Sequence, residues 1–152
     1  MRSALFADLE EKFMIELINT DIVTVPVGQE VPFDETVVKS GCAEYHRNGA
    51  SVIRLINPGR YLVTFSANIA VPTGETVGEV SLGILADGGI LTGSIMRATP
   101  AAVEEYFNVS TQHYIDVPKC CGNVGTANVA VENTGDIPVL VDNANITVVR
   151  VA

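Results

Sequence analysis

The stretch Asn57-Pro58-Gly59-Arg60-Tyr61-Leu62-Val63-Thr64-Phe65-Ser66-Ala67-Asn68-Ile69 decides the fold class. Asn-Pro-Gly is a strong type I or II turn signal, because proline presets one backbone dihedral and glycine tolerates the left-handed one. From Tyr61 onward the period is two. Tyr61, Val63, Phe65, Ala67 and Ile69 fall on one face, and Leu62, Thr64, Ser66 and Asn68 on the other. A helix would mix these two sets, so this is a strand with one strongly apolar face.

The same grammar extends in both directions. Before the turn, Asp21-Ile22-Val23-Thr24-Val25 alternates up to Pro26 and Gly28, Val31-Pro32-Phe33 opens a further piece, and Ser51 to Leu55 alternates again. After it, Val80, Leu82, Ile84 and Ala86 repeat the pattern, and Asp87-Gly88-Gly89 reads as a tight hairpin into Ile90-Leu91. Phe107, Val109, Thr111, His113, Ile115 and Val117 share a face opposite Asn108, Ser110, Gln112, Tyr114 and Asp116. Ala127, Val129 and Val131 precede the turn Asn133-Thr134-Gly135-Asp136, and Val139–Val141 and Ile146–Val151 complete the series. About eight to ten strands at roughly ten-residue spacing predict an all-β, antiparallel jelly-roll sandwich.

Two segments read as helical. Ser3 is placed to cap a turn, and Leu5, Phe6, Leu9 and Phe13 recur at helical spacing. Pro100 at a first helical position suggests one helical turn over Thr99–Tyr106. The expected organisation is a short N-terminal arm or helix over residues 1–13, followed by one jelly-roll domain over residues 14–152.

Composition agrees. The 152 residues include 22 Val, 12 Ile and 12 Thr, about 30% of the chain, and β-branched side chains favour pleated, half-buried surfaces. With 47% hydrophobic residues, 18% charged ones and positive mean hydropathy, the chain is not disordered. Its net charge of −9, with only nine Lys and Arg, is unsuited to neutralising a phosphate backbone, so nucleic acid is not expected as a partner. No run is long and apolar enough to predict a membrane span, and Met1–Phe13 does not read as a signal peptide.

Residues with chemical potential form weak constellations. Cys42 and His46 lie four apart in a Gly-rich connector, without an orienting Asn or Asp at an evident spacing. Cys120-Cys121-Gly122 points adjacent side chains apart, unlike a zinc knuckle. Three cysteines with one adjacent pair make a poor disulfide framework, so reduced thiols are expected, with a link from Cys42 to Cys120 or Cys121 as the alternative. Asp142-Asn143-Ala144-Asn145 places oxygens at alternate positions but lacks the glycine and closing carboxylate of a calcium loop, so it reads as an Asx-type turn. No nucleophile elbow, zinc-protease motif or phosphate loop occurs. The expectation is no catalytic residue, no metal site, no cofactor and no enzyme activity.

The strand faces opposite the apolar ones carry Thr, Ser, Asn and Gln where a soluble monomer usually shows Lys and Glu. A bland sheet face is usually covered, and the most economical cover is another copy of the chain.

The segment Ile56–Phe65 resembles the Pro-Gly-x-Tyr-x-Val-x-Phe strand of the complement/tumour-necrosis-factor-like jelly-roll superfamily. Gly41-Cys42, Asn68–Gly74, Ala98–Val103, Asn108–Thr111, Val117–Cys121, Val129–Thr134 and Asn143–Ile146 are similar to small β-rich proteins of bacteriophages and prophages. The resemblance implies a homotrimer displayed on a virion, as a capsid decoration or head-fibre protein made in the host cytoplasm. It implies a threefold axis lined by Tyr61, Val63, Phe65, Ile146 and Val148, and an arm bearing Leu5, Phe6, Leu9 and Phe13 that anchors to the major capsid protein. The alternative is a trimeric tip recognising a receptor or host-surface glycan, with Tyr45, Tyr106 or Tyr114 as stacking platforms.

Overall fold

A computed structural model describes residues 13–41, 44–45, 49–120, 123–124 and 126–152. The strands are β1 (Met14–Ile18), β2 (Val23–Val25), β3 (Glu35–Ser40), β4 (Glu44–Tyr45), β5 (Ile53–Leu55), β6 (Gly59–Ala70) and β7 (Val80–Ala86). They continue as β8 (Gly89–Ile90), β9 (Met96–Ala98), β10 (Phe107–Val117), β11 (Lys119–Cys120), β12 (Asn123–Val124), β13 (Ala127–Asn133) and β14 (Val139–Arg150). There is no helix among the described residues.

Two antiparallel sheets face one another. The first runs β10-β6-β14-β1-β3 with β2 beside β14, and the second runs β4-β5-β13-β7-β8 with β9 on β7. This is the all-β jelly-roll sandwich expected from the alternation. Residues at every second position meet between the sheets: Val63, Phe65, Ile146 and Val148 from the first, Ile53, Leu82, Ile84, Val129 and Val131 from the second, all with 0% exposure.

The turn before β6 works through a close approach. Gly59 has φ +152°, and a Cβ there would lie 2.5 Å from Arg150 Nε and 2.8 Å from the Ala152 carbonyl oxygen. Any other residue would push the C-terminal strand away from β6. One turn further back, Asn57 offers its carbonyl to the buried Tyr61 hydroxyl at 2.7 Å. The Tyr61 ring meets Phe13 edge-on at 5.2 Å, and Phe33 meets Phe65 in the same manner at 6.4 Å. Asp87 and Gly88, at φ 51° and 85°, form the two-residue hairpin between β7 and β8, the left-handed pair that suits the strand twist.

Two local readings change. Thr99–Tyr106 is not a helical turn: Val103 bridges Val71, Glu104 N–H donates to the Val71 carbonyl at 2.8 Å, and Glu104 itself lies at φ +56°. A tertiary tie to the end of β6 overrides the local helical signal. Asp142–Asn145 is not an isolated turn but a bulge inside β14, where the register steps from Asp142↔Asn68 to Asn145↔Ser66. Asn143 takes φ +58° there, and the Ala144 carbonyl accepts the Asn19 N–H at 3.1 Å.

The arm is also redrawn. Leu5, Phe6 and Leu9 lie outside the described residues, as do Cys42, His46 and Cys121. Phe13, grouped with the arm by its helical spacing, is fully buried against Tyr61, and its carbonyl accepts the Arg150 N–H at 2.9 Å. It belongs to the core.

Asn133 is the polar keystone at one end of the sandwich. With 2% exposure, it donates to the carbonyls of Val25 and Ile137 at 3.0 and 2.9 Å and accepts the Gly135 N–H at 2.9 Å. Removing its amide takes the partner from the buried Val25 carbonyl and from two part-buried groups, whereas truncating Phe65 leaves a cavity. In urea denaturation, Phe65→Ala should lower stability by about 3–5 kcal/mol. Asn133→Ala should lower it by at least about 1–3 kcal/mol.

Candidate subunit interface

Pairing across the first sheet lines up side chains on its outer face in rows. One row is Tyr114, Leu62, Val149 and Met14, set by Tyr114↔Leu62, Val149↔Leu62 and Met14↔Val149. It is apolar and half open, with Tyr114 at 59% and Met14 at 39% exposure. The next row is Gln112, Thr64, Thr147, Glu16 and Val38, and the next Ser110, Ser66, Asn145, Ile18 and Glu35.

Hydrogen bonds knit this face to itself. Gln112 Nε2 donates to Thr64 Oγ1 at 3.3 Å, Asn108 Nδ2 to Asn68 Oδ1 at 3.0 Å, and Asn145 Nδ2 to Glu16 Oε2 at 2.7 Å. The acids in these three rows are Glu16 and Glu35, both on the outlying strands β1 and β3. Beyond the apolar row, Arg60 Nε and Nη2 donate to the two Asp116 oxygens at 2.7 and 3.1 Å. That bond holds the Asp116 carboxyl below its ordinary range. Its small, solvent-screened benefit is therefore present at neutral pH and lost as acid titrates the carboxylate.

Such a face is suited to contact with protein. Desolvating hydroxyls and amides that are already paired costs far less than desolvating free charges, and the apolar row adds area to bury. Two copies of a chain with net charge −9 repel one another at long range. Meeting on the part of this face built from β6, β10 and β14, where the three rows carry no acid, keeps most of their acids apart.

The sequence-expected axis residues do not lie here. Tyr61, Val63, Phe65, Ile146 and Val148 each have 0% exposure within a single chain, so no area is left for a second copy. The interface candidates are their neighbours one position away, Leu62, Thr64, Thr147 and Val149. Alternation separates two faces but does not say which one the second sheet covers.

The tyrosines considered for stacking do not converge. Tyr114 stands in the apolar row, and Tyr106 lies eight residues before it, at the other end of β10. Tyr106 is 37% exposed, and its phenol is pushed above its usual range by burial, with Asp142 and Glu104 adding to the effect. Tyr45 falls in β4, at the far edge of the second sheet. Among the described residues, no three His, Cys, Asp or Glu side chains gather where a metal ion could be held.

Strand order and layering define the class: an all-β, antiparallel jelly roll whose fold is similar to that of C1q/TNF-like structures. The globular domain of a zebrafish complement 1qA protein is similar over 93% of this chain and 98% of its own, with a TM-score of 0.70 at 13% identity. Murine APRIL is similar over 92% and 99%, with a TM-score of 0.66 at 11% identity. The phage vertex protein P5 of PRD1 is similar over 92% and 97%, with a TM-score of 0.54 at 17% identity. At these identities the likeness is one of fold. No family model matches the chain. No curated protein matches it.

Placing a charge in the apolar row separates assembly from folding. Leu62→Lys should reduce the solution mass to that of one chain, 16.1 kDa, by light scattering, with an unchanged β-sheet circular dichroism spectrum. An unchanged mass would exclude this face from the interface.

Proposed function

We propose that this chain is a structural virion protein, a homotrimer that decorates the capsid surface and is attached through its N-terminal arm to the major capsid protein. The observation that carries the reading is the outer face of the first sheet, where the three rows contributed by β6, β10 and β14 hold apolar and neutral polar side chains and no charge, in an otherwise acidic molecule. The jelly roll shared with a phage vertex protein supports a virion location, and the sequence blocks similar to phage and prophage proteins point the same way. The role is non-catalytic: rigidity, shape and surface contact are what the fold supplies.

In this arrangement three copies pack through the rows containing Leu62, Thr64 and Val149, and the second sheet faces solvent. The arm, Met1 to Lys12, precedes β1 in the sequence. Its Leu5, Phe6 and Leu9 supply an apolar contact of the kind a capsid groove accepts.

Light scattering of the full chain should give three times 16.1 kDa. Deleting residues 1–12 should leave that mass intact while abolishing co-sedimentation with capsids. Capsid binding by the truncated trimer would overturn the anchoring role. Virions imaged with and without the protein should differ by discrete surface knobs.

A further inference from the structure

The exterior of the second sheet carries a cleft of about 330 Å3, formed where the 71–79 loop, β9 and the turn after β13 meet. We propose that this cleft binds a single neutral hexose unit. The inference goes beyond capsid decoration and does not depend on it.

Its floor is polar and built. Ser81, 3% exposed, shares a hydrogen bond with the Thr134 hydroxyl. Two hydroxyls carry two hydrogens and their mutual bond uses one, so one O–H remains to donate to a ligand. At the rim Arg97 Nε stands 3.5 Å from Glu79 Oε1, with the two side chains 59% and 54% exposed. Asp136 adds a second carboxylate to the lining. A guanidinium donates to one hydroxyl while the carboxylate beside it accepts from the neighbouring hydroxyl, which is the pattern a vicinal diol presents.

The remaining wall is apolar. Val77 and Ile95, 41% and 37% exposed, and Ile137 offer a surface for the C–H face of a pyranose ring. An amphipathic wall with convergent polar groups, at the small end of ligand-site volumes, fits one sugar ring. Two carboxylates against one guanidinium, in a chain of net charge −9, disfavour anionic sugars. The cleft lies on the sheet opposite the proposed interface and remains open in an assembled trimer. It also differs from the tyrosine platforms suggested by the sequence, which are scattered over the fold.

The test is an amide correlation spectrum of the full chain, titrated separately with glucose, galactose, mannose and, as a charged control, N-acetylneuraminic acid. At least one neutral hexose should give saturable shifts at Gly78, Ser81, Arg97 and Gly135, with millimolar affinity. N-acetylneuraminic acid should bind more weakly. Arg97→Ala and Asp136→Asn, at exposed positions, should each weaken binding by about tenfold with unchanged thermal unfolding. No shifts with any neutral hexose, preferred binding of the acidic sugar, or undiminished affinity in both variants would overturn the proposal. None of these results depends on capsid attachment, so the two readings fail separately.

Discussion

Strands β6 and β14 run antiparallel through the middle of the first sheet, and the rest of the molecule is registered on that pairing. Their contact extends from Leu140↔Ala70 to Arg150↔Tyr61. On the inner side it sets Val63 beside Val148 and Phe65 beside Ile146, all fully buried. β10 takes its register from β6, and β1 takes its register from β14. Because side chains alternate, a one-residue slip would carry the aromatic set to the outside and the threonines into the core. Gly59 protects this pairing at one end by leaving room for Arg150 and the Ala152 carbonyl. At the other end the bulge at Asn143 absorbs one extra residue and presents the Ala144 carbonyl to Asn19.

The outer face follows from the same register. Once the large residues of β6 and β14 point inward, Leu62, Thr64, Ser66, Asn145, Thr147 and Val149 must point outward together. They form a flat, nearly neutral surface whose polar groups are largely bonded to one another. An acidic chain thereby keeps one region where self-association costs little electrostatically. The second sheet has a different exterior, with the Glu79–Arg97 pair and a cleft beside it. The two sheets are thus chemically distinct outside while sharing a single core.

Much of this is legible along the chain, and the exceptions have physical causes. The alternation over Tyr61–Ile69 and Phe107–Val117, and the Asp87-Gly88 hairpin, appear in the structure as written, because period and turn chemistry are local properties. Thr99–Tyr106 misleads because its helical signal is weaker than the bridge from Val103 to Val71. Phe13 misleads because a residue at helical spacing from Leu9 is also in phase with Ile15 and Leu17, and burial against Tyr61 selects the strand phase. Assigning Tyr61 and Phe65 to a subunit axis identifies the right strands but the face that a single chain already consumes. The cleft leaves no sequence motif at all, since Glu79, Arg97 and Asp136 come from three separated segments.

By itself the sequence determined an all-β sandwich, the strands that carry its core, the main hairpin and the unusually bland faces. These are encoded in spacing, β-branching and turn residues, which act over a few positions. Only the tertiary structure decided which face of each strand the opposite sheet covers, that β14 continues through a bulge, and where polar groups from distant segments converge. Those outcomes depend on which surfaces meet in space, and the free energy of burial belongs to the pair of surfaces rather than to either segment alone.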